Sequence, residues 1–144
     1  MPEEYNMTSH AVYDIKYHII WVTKYRYKVL GGKIGKRLRE LLRQGCEARK
    51  ITILSGSIRS DHVHLLISCP PSMAPSKVVQ YLKGRSSRLL QEEYPDLKKR
   101  YWGQPLWARG YFCATVGSVT EDTIKRYIEE QEKVGNNEIF TVGD

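Results

Sequence analysis

Cysteine is scarce in this chain: Cys46, Cys69 and Cys113 are the only three in 144 residues, odd in number and outside any Cys-x-x-Cys pair. That argues against both a disulfide framework and a zinc ribbon, and leaves the thiols as small core side chains. Long apolar runs are missing too. None exceeds the four residues of Ile19–Val22, against the roughly 20 that a membrane-spanning helix needs, so no membrane partner is expected. The first residues, Met1-Pro2-Glu3-Glu4, are acidic where a secretory signal is basic and then apolar, which points to a cytoplasmic protein. Gly32-Lys33-Ile34 and Gly35-Lys36-Arg37 fail to complete the Gly-Lys-Ser/Thr end of a P-loop, so no nucleotide cofactor is expected. No internal repeat or long linker divides the chain.

What is present fits one domain over residues 1–144. Hydrophobic residues make up 41% and charged residues 27%, too apolar for a disordered chain. At this length roughly 68–70% of the unfolded surface can be buried, enough for a single core. Residues 1–10 and 135–144 are expected to be flexible termini. The charge is unevenly spread. Between Lys24 and Lys50 ten basic residues face two acidic ones, Glu40 and Glu47, whereas from Val119 onward three basic residues face seven acidic ones. A basic half suits a polyanion, although a solvated basic face would produce the same composition. The candidates for DNA contact are Lys24, Arg26, Lys28, Lys33, Lys36, Arg37 and Arg39, interleaved with Tyr25 and Tyr27 as stacking aromatics are in single-strand grooves. Lys83 and Arg85 are weaker candidates on a later helix.

Periodicity divides the chain into elements. Val12–Thr23 alternates, with Tyr13, Ile15, Tyr17, Ile19 and Trp21 on one side, and reads as one long half-buried strand. Ile34, Leu38, Leu41, Leu42 and Cys46 recur at helical spacing from Gly31-Gly32 to about Lys50. Ile51–Ile58 and His62–Ser68 form a hairpin around Arg59-Ser60-Asp61. A second helix spans about Ser76–Glu93, and Trp107–Gly117, which contains Tyr111–Val116, reads as the last strand. Ser118-Val119-Thr120-Glu121 matches a capping box that opens a terminal helix to about Val134. The order predicts an α+β fold, a ferredoxin-like β-α-β-β-α-β antiparallel sheet with an additional C-terminal helix. The helices are expected to cover one sheet face and leave the other for something else.

His62-Val63-His64 lies within the third of these strands, where a period of two puts both imidazoles on one face and Val63, Leu65 and Ile67 on the other. Such a pair can share a metal ion, yet alone it is equally a pair of structural histidines. His18 joins that face only if the strand register cooperates. On the terminal helix, Tyr127 and Gln131 are four residues apart, about 6 Å along the axis, and address one point in space. A packing role for Tyr127 stays open on this pattern alone.

Taken together, these residues resemble the small single-tyrosine transposases of the HUH endonuclease class. The resemblance rests on His62-Val63-His64, Tyr127 with Gln131, Trp21-Val22-Thr23-Lys24-Tyr25-Arg26, Leu82-Lys83-Gly84 and Tyr111-Phe112 followed by Thr115-Val116-Gly117, and spans about Val12 to Glu132. It implies that the terminal helix carries a catalytic tyrosine, Tyr127, that His62 and His64 are metal ligands, and that Gln131 is the third ligand. The implied metal is Mg²⁺ or Mn²⁺, with Zn²⁺ a possible bound surrogate, and such a site suits phosphoryl transfer. The implied activity is cleavage and rejoining of single-stranded DNA at insertion-sequence ends through a 5′-phosphotyrosine, with hairpins as partners and a homodimer that shares its active sites between chains. Two other readings stand beside it: a domesticated relative that processes repeated palindromes, and a noncatalytic ferredoxin-like nucleic-acid-binding module.

Overall fold

A computed structural model of the chain describes residues 6–7, 12–116, 126 and 139–141. Its elements are β1 (Asn6–Met7), β2 (Val12–Tyr13), β3 (Lys16–Val22), α1 (Gly32–Ala48), β4 (Thr52–Arg59), β5 (His62–Ser68), α2 (Pro75–Glu93), α3 (Pro95–Arg100), β6 (Phe112–Thr115) and β7 (Ile139–Thr141). β1 and β2 form a small antiparallel ladder of their own. The main sheet has the order β6-β3-β5-β4-β7, with every pairing antiparallel. Its first four strands reproduce the expected α+β, ferredoxin-like topology. The first and third strands of that motif are central and the others flank them.

Several boundaries depart from expectation. Val12–Thr23 is interrupted, because Val12–Tyr13 pairs with β1 while Lys16 begins the run that pairs with β5 and β6. Alternation of side chains cannot distinguish one long strand from two that change partner. The terminal segments expected to be flexible contain paired residues, Asn6–Met7 at one end and Ile139–Thr141 on the outer edge of β4 at the other. Strands of two or three residues are too short to show an alternating pattern, and the partner of β7 is also remote in sequence. α3 is an additional turn of helix started by Pro95. The predicted capping box at Ser118 and the helix after it lie outside the described residues, except for Arg126, which is helical.

The core sits between one sheet face and α1 with α2. Ile19 and Trp21 of β3, Ile58 of β4 and Val63, Leu65 and Ile67 of β5 are buried against Leu38, Leu41, Leu42 and Cys46 of α1 and Val78, Val79, Leu82 and Leu90 of α2. The helices approach closely at Gly45, where a Cβ would lie 3.3 Å from Leu82 Cδ2. α2 also carries a polar seam that anchors the chain leading to β6. Ser86 Oγ accepts the Trp107 indole N–H (3.0 Å), Ser87 Oγ accepts the Leu106 amide (3.0 Å), and Gln91 donates to the Gln104 carbonyl (2.9 Å). These bonds satisfy buried polar groups that would otherwise destabilise the interior.

Candidate active site

Strand register decides which side chains share the face opposite the helices. Directly paired residues point the same way, and β5 pairs with β3 as His62 with Val22, His64 with Ile20 and Leu66 with His18. His62, His64 and His18 therefore stand on one face. Nδ1 of His18 lies 3.4 Å from Nε2 of His64, with ring centroids 5.6 Å apart. Ile20, fully buried between them in register, is absent from the core packed under the helices. Both imidazoles share one face, as alternation predicts, and His18 joins them there.

The protonation states favour ligation. Burial, reinforced by the nearby charges of His18 and His62, pulls the His64 pKa down to about 4, so this imidazole is neutral at pH 7. Burial likewise lowers His18. His62 is 1% exposed, and its Nδ1 lies 3.0 Å from Oδ1 of Asp61. Burial by itself would raise the Asp61 pKa, but hydrogen bonds from His62 and Arg26 and the Arg26 charge outweigh it, and the net shift is downward. An ionised carboxylate can only accept, so Nδ1 of His62 is the donor in this bond. Imidazoles side by side on one strand, with His64 neutral, can hold a divalent cation. Among the described residues no group of three His, Cys, Asp or Glu side chains is placed to hold one, so His62 and His64 need a further ligand from elsewhere. Both Tyr127 and Gln131 lie outside the described residues.

The turn after β3 completes the surroundings of His62. Arg59 pairs with His62, leaving Ser60-Asp61 as a two-residue turn whose carbonyls accept from the Leu30 and Thr23 amides, each at 2.9 Å. Thr23 Oγ1 donates to the Tyr27 carbonyl (2.7 Å). Between these anchors, Tyr25 and Arg26 both take left-handed backbone angles, φ 62° and 56°, which are uncommon for non-glycine residues. The contortion brings Arg26 onto Asp61, with Nη2 and Nε at 2.7 and 3.1 Å from Oδ2. Asp61 was legible only as a turn residue. Its one available signal was its place directly before His-x-His at a hairpin tip.

The basic candidates separate into two groups. Arg26 is held by Asp61, and Arg37 bonds Glu93 at 2.7 and 3.0 Å and Glu40 at 3.1 Å. Lys83 donates to the Ala108 and Gly110 carbonyls at 2.7 and 3.0 Å, and Arg85 to the Leu41 carbonyl at 2.8 Å. These four serve the fold in this structure, whatever else they touch. Lys28, Lys33, Lys36 and Arg39 are exposed, and Lys24 lies over the exposed Tyr25 ring. A cleft of about 840 Å³ between α2 and the segment before β6 is lined by Lys83, Gly84, Arg88 and Arg109 among others, and by none of the three histidines.

A ferredoxin-like sheet with histidines gathered on the face opposite its helices is the fold and site of this chain, and the comparisons place it among the transposases. The family described as "Transposase IS200 like" matches residues 11–131. This chain belongs to that family. It is 38% identical over 130 residues to the transposase for insertion sequence element IS200 of Salmonella typhimurium, covering 88% of this chain and 85% of that protein. A crystal structure assigned to a Deinococcus radiodurans transposase matches with a TM-score of 0.79 and 34% identity, covering 88% of this chain and 98% of that one. A REP-associated tyrosine transposase bound to a REP hairpin shares the fold, with a TM-score of 0.53 and 12% identity, over 85% of this chain and 69% of that one. Membership makes the protein a DNA-cleaving, strand-transferring enzyme of an insertion sequence.

Proposed function

We propose that the enzyme cleaves and rejoins single-stranded DNA at the ends of its insertion sequence, with Tyr127 as nucleophile and His62, His64 and Gln131 as the residues that hold a divalent metal. The observation that carries the reading is the histidine face itself: two imidazoles on β5, one hydrogen-bonded to a buried carboxylate, opposite the face that builds the core. Tyr127 and Gln131 fall inside the span matched by the family. Bound Mg²⁺ or Mn²⁺ would polarise a non-bridging phosphate oxygen as a Lewis acid.

The Tyr127 phenol, with an ordinary pKa of about 10, gives its proton to solvent or a nearby base as its oxygen attacks phosphorus. The phosphorus–O3′ bond breaks, leaving a free 3′-OH on one strand and a 5′-phosphotyrosine on the other. One ester replaces another, so rejoining by a 3′-OH needs no nucleotide triphosphate. A hairpin as the bound form of DNA is supported by the fold shared with the REP-hairpin complex. A homodimer sharing its sites between chains would bring two element ends together, and the cytoplasm is the compartment where that DNA is met.

The test is covalent capture. Labelled single-stranded flanking DNA with Mn²⁺ is expected to give a protein–DNA adduct that Tyr127→Phe abolishes while hairpin binding survives. An adduct persisting in that variant places the nucleophile elsewhere. Tyr127→Phe and His64→Ala chains, each inactive alone, regain cleavage as a purified heterodimer if the site is shared, and stay inactive if it lies within one chain.

A further inference from the structure

We propose that Asp61 and Arg26 are positioning residues that set the tautomer and orientation of His62 for metal binding. The proposal rests on the reading of His62 and His64 as metal ligands and extends it to two residues that act through His62.

Three observations carry it. First, Asp61 is 2% exposed, so water cannot readily substitute for a lost partner. Second, its two oxygens divide the work: Oδ1 meets Nδ1 of His62 at 3.0 Å, and Oδ2 meets both Nη2 and Nε of Arg26 at 2.7 and 3.1 Å. Third, Arg26 reaches Asp61 from consecutive left-handed residues, a conformation that persists only where the surroundings over-determine it. The Thr23 amide to the Asp61 carbonyl and the Thr23 hydroxyl to the Tyr27 carbonyl supply that constraint from both sides. A histidine that ligates metal through one nitrogen commonly donates its other N–H to a carboxylate, which fixes its ring and raises its basicity. Here the carboxylate is itself held by a guanidinium, whose planar fork grips it through two nitrogens.

The geometry makes an unusual demand that an amide cannot meet. Asp61 must accept on both sides. Asn has one acceptor and one donor end, and turning its NH₂ toward the Arg26 guanidinium would set donor against donor. The Asn oxygen therefore faces Arg26 and its NH₂ faces His62, which drives the His62 proton from Nδ1 to Nε2. That removes the lone pair a metal would use.

Two readouts on the full-length chain test this. Long-range ¹H–¹⁵N correlation spectra of the metal-free protein should show His62 as the Nδ1–H tautomer in wild type and as Nε2–H in Asp61→Asn. Mn²⁺ titration followed by electron paramagnetic resonance should show an affinity loss of about 10–100-fold for Asp61→Asn, and a smaller loss for Arg26→Ala. Equal Mn²⁺ binding by wild type and His64→Ala would overturn the metal-ligand reading, and this proposal with it. Binding abolished in His64→Ala but unchanged in Asp61→Asn, with an unchanged tautomer, would overturn the positioning role alone. Should Asp61→Asn fail to fold, the wild-type spectrum still decides, because an Nε2–H His62 there contradicts the proposal.

Discussion

The two faces of the central strands are built to opposite specifications. On one, Val63, Leu65 and Ile67 of β5 and Ile19 and Trp21 of β3 are buried among the apolar side chains of α1 and α2. On the other, the same two strands present His62, His64 and His18, with Asp61 and Arg26 at the hairpin tip. One face gains stability from removal of apolar area from water. The other buries imidazoles and a carboxylate, which costs desolvation that only specific partners offset. Alternate residues of one seven-residue strand thus divide the apolar core from the histidine face.

Neighbouring substitutions on β5 can break this comparison. The largest effect is expected at His64: replacing it with Ala should reduce covalent DNA cleavage by at least about 100-fold while the unfolding midpoint stays near that of wild type, because its ring supports the site rather than the helix-side core. Adduct gels and a thermal melt on the same preparation check it. A large loss of stability would show that the histidine face holds the fold as well. Next door, Leu65→Ala should behave in the opposite way. Removing a fully buried leucine is expected to cost about 2–5 kcal/mol in urea unfolding, with cleavage per folded molecule retained. Loss of activity in the folded fraction would mean that the two faces are coupled.

A smaller effect sharpens the contrast between bases that face solvent and bases held by the fold. Lys36 is exposed, whereas Arg37 beside it is paired with Glu93 and Glu40. Lys36→Gln is expected to lower the slope of log affinity against log salt by about 0.7 for single-stranded DNA, and Arg37→Gln to leave it unchanged. Filter binding across a salt series measures both. The reverse ranking would put the DNA on the Arg37–Glu93 side of α1.

Much of the site was legible because it obeys local periods. Alternation placed His62 and His64 together, helical spacing placed Leu38, Leu41, Leu42 and Cys46 in the core, and Gly31-Gly32 and Pro75 marked helix starts that the structure uses. Arg26 and Lys83 show where that reading stops. Arg26 looked like a free cation in a basic stretch and Lys83 like one on a helix face, yet one bonds a carboxylate 35 residues away and the other bonds carbonyls 25 and 27 residues away. No local pattern signals such a partner. β7 was missed for the same reason, since its three residues pair with β4 from far along the chain.

What the sequence determined by itself was the main elements from β3 to β6 and the placement of the histidine pair, because side-chain period and turn chemistry are properties of neighbours in the chain. Tertiary structure alone decided that His18 would stand 3.4 Å from His64, that Asp61 would face His62, and which cations would face solvent. Those outcomes depend on strand register and on a left-handed turn stabilised by distant carbonyls. Both are set by contacts between residues far apart in sequence.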